Sequence, residues 1–336
     1  MLFRSGIAVS EGDEVASIEL RLNAPRGALP PYPFPRIEEV PARLELVPIH
    51  LGDIEGLSAE RFSPIAGSLG YWQPVDFAVR YGIGVSMLQP YGPEKIPVVF
   101  VHGAQGTPQN FDYLVAHLDR NRYQPWVYSY PSGIRLALAS HHLTRVLDEM
   151  QHRLGFERVI VIAHSVGGLV ARDAVNEIMR RPTHRFVDRL ITLSTPWAGH
   201  ESASLGLAHS PVTIPSWIDM AVGSDFLRSL FPAPSSNGPP FFLLYSFEGG
   251  HSGARNTDGV VSLRSQLEPQ AQGNATRTFG FPEDHNSILK SADVARTVGA
   301  LLASSAGTRS ELAFGRDATR AAVSMRDDEV ALASSL

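Results

Sequence analysis

Val159-Ile160-Val161-Ile162-Ala163-His164-Ser165-Val166-Gly167-Gly168-Leu169-Val170-Ala171-Arg172 is an apolar run that breaks at a serine and resumes with helical character. Four consecutive β-branched residues read as a strand covered on both faces. Small residues two before and two after Ser165 let the backbone turn sharply from strand into helix. The same spacing, a small residue, any residue, serine, any residue, glycine, also fits Ser10, Ser68 and Ser305. Context separates the four. Ser10 leads into an acidic turn, Ser68 follows Arg61-Phe62-Ser63-Pro64, and Ser305 ends a helical stretch. Only Ser165 joins an apolar strand to a helix. Serine in such a place also makes an ordinary helix cap, so the reading depends on what the rest of the chain supplies.

The pattern spreads outward from that corner. Strands are expected at 82–88, 96–101, 124–129, 157–163, 188–194, 241–246 and 275–280, with helices at 108–119, 137–154, 167–180 and 287–303. Alternating strands and helices imply βαβ units, hence an α/β fold with a mostly parallel sheet and helices on both faces. About 45 residues without a strand separate Thr195 from Phe241, and an insertion of that size is usually functional. Residues 1–79 are expected to form an accessory N-terminal layer. It has strands near 14–22 and 43–49, joined by a connector crowded with Pro25, Pro30, Pro31, Pro33, Pro35 and Pro41. Residues 80–303 read as one catalytic body, and 304–336 as a flexible tail rich in Ser, Ala, Arg and Asp.

Composition narrows the chemistry. The 336 residues are 43% hydrophobic and contain no cysteine. A cysteine nucleophile, a disulfide and a Cys-ligated metal are therefore excluded. Net charge is −5, and apart from Lys95 and Lys290 every basic residue is a scattered arginine. Nothing resembles a nucleic-acid groove. No run approaches the roughly 18–20 apolar residues of a membrane span. The apolar stretch after Met1 is short for a signal peptide. That leaves a cytoplasmic protein, or one exported by a leader preceding this chain. Neither a phosphate-binding loop nor a HExxH motif is present, so no cofactor and no metal are expected.

Strand 96–101 runs into His102-Gly103-Ala104-Gln105-Gly106. A Gly-rich turn there can offer a backbone N–H to an oxyanion, and the residue after the serine offers a second. Those are the N–H groups of Ala104 and Val166. The same turn also reads as an ordinary βα connection. Of twelve histidines, His285 lies between the last expected strand and the last helix, where a general base belongs in this kind of site. His164 adjoins the serine and is poorly placed to approach it. For the orienting acid, Asp258 follows the penultimate strand; its Asp-Gly pair is by default a turn. Asp284 competes but is adjacent to His285 in the chain, and Glu248 and Asp219 are remoter. The order Ser165, Asp258, His285 is the serine–acid–histidine order of one hydrolase fold.

Taken together, Val101–Gly106, Ala163–Arg172, Ser-Thr-Pro-Trp-Ala-Gly-His (194–200), Thr-Asp-Gly-Val-Val-Ser-Leu (257–263) and Glu-Asp-His (283–285) resemble the α/β-hydrolase superfamily. The likeness is to its bacterial lipase and esterase branch, and the Thr-Pro-Trp-Ala-Gly segment is similar to GPI-inositol-deacylase-like hydrolases. The resemblance implies an α/β-hydrolase fold over roughly 80–303, with Ser165 as nucleophile, Asp258 as acid and His285 as base. It implies an oxyanion hole at Ala104 and Val166. Residues 200–240 then occupy the place of a helical cap or lid. There Trp217, Phe226 and Phe231 line an acyl pocket, face lipid, or simply pack the cap on the body.

The implied activity is a serine ester hydrolase, lipase or esterase, acting on a small-molecule or lipid ester. Transient membrane-surface contact through the cap is part of that expectation. An acyltransferase using the same residues and a non-catalytic binding protein of the same fold remain open alternatives.

Overall fold

A computed structural model describes residues 7–9, 18–20, 47–181, 185–231, 238–248 and 256–304. Strands β1 (Ile7–Val9) and β2 (Ile18–Leu20) pair antiparallel, with Ile7 opposite Leu20. The proline-rich connector and the tail beyond Ser304 lie outside the described residues.

Eight strands make the main sheet. They are β3 (Ile49–Ile54), β4 (Ile83–Met87), β5 (Ile96–Val101), β6 (Tyr123–Ser129), β7 (Val159–His164), β8 (Val187–Leu193), β9 (Phe241–Ser246) and β10 (Arg277–Phe281). Their spatial order is β10-β9-β8-β7-β5-β6-β4-β3. From β10 to β6 all neighbours are parallel, whereas β4 runs antiparallel to β6 and parallel to β3. Strand order reverses around β5, which lies between β6 and β7. Sites in open α/β sheets form at the carboxyl ends of strands beside such a switch.

Two apolar layers sandwich the sheet. Successive residues of a strand point to opposite faces. Val99 and Val101 accordingly join the core with Trp126, Tyr128 and Leu143, while Val98 and Phe100 join the other with Phe111, Leu114 and Leu301. The first layer is covered by two long helices, Leu136–Leu154 and Val166–Met179. The second is covered by Asp112–Ala116 and Ala292–Ala303. Each fully buried aliphatic side chain contributes roughly 1.5–3 kcal/mol, which places most of the fold's stability in these layers.

The expected separation of residues 1–79 needs correction where the structure describes them. Ile49–Ile54 is hydrogen-bonded into the main sheet, and Pro64–Trp72 and Pro74–Tyr81 are helices packed on the same body. Of the strand expected at 43–49, residues 43–46 lie outside the described residues, and the described strand runs from Ile49 to Ile54. Gly52, at φ +91°, breaks the alternation there, and the register with β4 shifts between Leu51 and Asp53.

The 200–240 insertion is helical, as Glu201–His209, Pro215–Met220 and Asp225–Ser229; residues 232–237 lie outside the described part. Asp219 clamps it to the body. Its buried carboxylate accepts from Arg135 Nε and Nη2 and from the Leu136 N–H at 2.6 Å. No helix among the described residues is long and apolar enough to cross a membrane.

Candidate active site

Ser165 closes β7 and opens the following helix at φ 54°, ψ −132°. A β-carbon makes that backbone conformation costly, so it persists only where the surroundings enforce it. Among the described residues the other non-glycine positions with positive φ are Gln105 and Ser194. All three follow strands β5, β7 and β8, which are neighbours in the sheet, and they concentrate strain beyond the carboxyl ends of these central strands.

The Ser165 side chain makes no capping bond to its helix, which removes the ordinary-cap reading. Its Oγ instead lies 2.9 Å from His285 Nε2. His285 Nδ1 donates to Asp258 Oδ2 at 2.7 Å, which leaves Nε2 as the acceptor of the neutral ring. All three side chains are buried.

Asp258 reconciles its two readings. Oδ1 accepts the Val260 and Val261 N–H groups at 3.0 and 2.7 Å and so forms the turn expected of Asp-Gly. Oδ2 is left to face His285. Burial alone would raise the pKa of this carboxyl. The hydrogen bond and charge of His285, the Val261 N–H and the Ser246 hydroxyl outweigh it and hold the group below the usual carboxylate range. Asp284, the competitor, turns its carboxylate to the Asn286 and Ser287 N–H groups.

Gly103 allows the loop after β5 to reach the serine. A β-carbon there would sit 2.7 Å from Ser165 Cβ. Among the described residues neither the Ala104 nor the Val166 N–H has a protein acceptor. Both residues line a cavity of about 420 Å³ with Ser165 and His285. Tyr71, Ala203, Trp217 and Met220 give that cavity an apolar wall, and Gln105, His200, Ser202 and Asn286 a polar one.

Of the three expected cap aromatics, only Trp217 lines this cavity. Its Nε1–H donates to Tyr71 Oη at 2.7 Å, and Gly206 lies flush against its ring. Phe226 is buried in the core, and Phe231 packs against Trp197 and Phe241 below the Arg172 guanidinium. Of the three readings open for them, Phe226 and Phe231 take the one in which the cap packs on the body. Phe226 is buried on the short helix Asp225–Ser229, and Phe231 follows two residues after that helix ends.

Sequence reasoning missed Tyr71, Ser246 and Gln266, which come from elements it did not connect to the site. It also left His164 without a role. The His164 Nε2–H donates to the His285 carbonyl at 2.8 Å. Burial, and next the nearby His285 ring, pushes the His164 pKa down to about 3, so it stays neutral.

The structure is similar in fold to the mature form of the lipase BlEst2 from Bacillus licheniformis. Identity is 21%, with 65% of this chain and 97% of that one covered, at a TM-score of 0.50. It is also similar to lipase B of Aspergillus fumigatus, at 20% identity over 68% of this chain and 58% of that one, with a TM-score of 0.53. At these identities the likeness is one of fold. A search of curated proteins gave no sequence match. The sequence profile described as "Alpha/beta hydrolase family" matches residues 98–330. That span takes in the corner at Ser165 and the loops bearing Asp258 and His285, and it exceeds half of the chain: this protein belongs to the alpha/beta hydrolase family.

Proposed function

We propose that the protein is a serine carboxylic-ester hydrolase. One observation carries the reading: His285 Nε2 lies 2.9 Å from an uncapped serine hydroxyl while its other nitrogen is bound to a buried carboxylate. Such a pair is suited to deprotonating the serine as it attacks.

In this reading Ser165 Oγ attacks the ester carbonyl carbon and His285 Nε2 takes its proton. The carbonyl oxygen becomes an oxyanion held by the Ala104 and Val166 N–H groups. Collapse breaks the bond to the alcohol oxygen, which leaves with the proton from His285. Ser165 then carries the acyl group. Water, deprotonated by His285, attacks that ester, and the second collapse frees the acid and restores the serine. Asp258 stays ionised throughout and stabilises the imidazolium.

The proposed substrates are apolar or lipid esters. The apolar wall formed by Tyr71, Ala203, Trp217 and Met220 supports this. Leu205, Val212, Ile218 and Val222 of the cap are exposed and would meet an apolar phase during transient contact with a membrane surface. The test is hydrolysis of a series of p-nitrophenyl esters by wild type and Ser165→Ala. A loss of at least ~10³-fold in kcat is expected. A Ser165→Ala protein as active as wild type overturns the reading.

A further inference from the structure

We propose that Gln266 and Ser246 are positioning residues that hold Asp258 against His285 and set the pH range in which His285 works as a base; this rests on the ester-hydrolase reading above.

Gln266 is fully buried on the short helix Leu263–Gln266. Its Oε1 accepts the Ser246 N–H at 3.0 Å, and its Nε2 donates to the Ser246 carbonyl at 3.0 Å. The amide is thus locked edge-on to the end of β9, and its orientation is fixed by both bonds. In that orientation Nε2 also reaches Asp258 Oδ2 at 3.1 Å. The Ser246 hydroxyl donates to the same oxygen at 2.8 Å. Since that proton is committed, the 2.6 Å contact between Ser246 Oγ and Ser194 Oγ runs with Ser194 as donor. Ser194 is one of the strained positive-φ residues. A buried chain of hydroxyls therefore leads from Ser194 through Ser246 to Asp258, His285 and Ser165.

Oδ2 of Asp258 accordingly takes three donors: the His285 ring, Ser246 and Gln266. Oδ1 takes two backbone N–H groups. All the acceptor capacity of the carboxylate is directed, and its plane cannot rotate away from the imidazole. The two neutral donors on Oδ2 also draw charge off the oxygen that faces His285. Without one of them the carboxylate attracts the His285 proton more strongly, and the free base appears only at higher pH.

The experiment compares wild type with Gln266→Met, Ser246→Ala and Ser246→Thr. It measures kcat, KM and the acid limb of kcat/KM on a soluble p-nitrophenyl ester. It also records the proton resonance of the His285 Nδ1–H, identified by its loss in His285→Ala. Gln266→Met and Ser246→Ala are expected to lower kcat about tenfold, the scale of one charge-assisted hydrogen bond, with KM little changed. Both move the acid limb to higher pH and displace the Nδ1–H resonance. Ser246→Thr, which keeps the hydroxyl, restores the wild-type limb. An unmoved acid limb and an unmoved resonance in both Gln266→Met and Ser246→Ala overturn the proposal. If wild type hydrolyses no ester, the hydrolase reading fails, and the resonance alone decides whether Gln266 and Ser246 position Asp258.

Discussion

The His164 ring donates a hydrogen bond to the backbone carbonyl of His285 at 2.8 Å, with the two rings 4.7 Å apart. The residue before the proposed nucleophile thus holds the loop of the proposed base. Because burial keeps His164 neutral, it does this without placing a second positive charge beside the imidazolium. Replacing His164 by Phe keeps the ring volume and removes the donor. We expect kcat to fall about tenfold with KM nearly unchanged, since one buried hydrogen bond that orients the base is lost. Steady-state kinetics on a short p-nitrophenyl ester checks this, and an unchanged kcat contradicts it.

Buried neutral histidines also shape stability against pH. Burial pushes His102 down to about 4 and His164 to about 3. In the unfolded chain both take up protons near the ordinary histidine value of about 6.5, so the unfolded state binds more protons below that pH. Stability should therefore be level above about pH 7 and fall as pH drops from 6.5 toward 4. Each histidine contributes at most about 1.4 kcal/mol per pH unit. Urea unfolding at pH 8, 7, 6 and 5 reads this slope. Equal stability at pH 7 and pH 5 would count against it.

Gly103 brings the loop after β5 against the serine. An added methyl at 2.7 Å from Ser165 Cβ would also lie 3.2 Å from the His164 carbonyl oxygen and from Ser165 Oγ. Gly103→Ala should move the Ala104 N–H away from the carbonyl oxygen and lower kcat by about 10²-fold, the scale of one lost oxyanion donor. Overpacking should cost about 1–3 kcal/mol in stability, measured by thermal melting. Near-wild-type activity in this variant would argue against Ala104 as a donor.

Trp217 is wedged between Tyr71 and Gly206 on the apolar wall of the cavity. Two residues on, Asp219 fixes its helix to Arg135 and Leu136. These contacts hold the indole in the cavity lining, and we expect it to limit the length of chain the cavity accepts. Trp217→Ala should raise kcat/KM for long acyl chains relative to short ones, whereas Phe231→Ala, in the core behind, should lower stability and leave the ratio alone. A chain-length series gives both ratios.

The central strands were legible because both faces are covered, which forces near-continuous apolar runs such as Val159–Ala163 and Ile96–Val101. Strand β3 was not. It lies at the sheet edge, and Gly52 interrupts its pattern. The helix Pro64–Trp72 was hidden by Gly67 and Gly70, although Ser63 caps it and Pro64 opens it, a readable start signal. In the site, Ser165, Asp258 and His285 could be proposed because each lies after an expected strand, in the serine–acid–histidine order. Gln266 and Tyr71 could not, since their roles depend on contacts between elements distant in the chain. For Phe226 and Phe231 the sequence left pocket and core open, because an aromatic in a cap looks the same whichever it faces.

The most direct test of the central claim is the intact mass of the protein after exposure to a fluorophosphonate, followed by peptide mapping. The account predicts one phosphonyl adduct, located on Ser165, absent in Ser165→Ala and strongly slowed in His285→Ala. An unmodified wild-type protein, or an adduct that persists undiminished in Ser165→Ala, would contradict it.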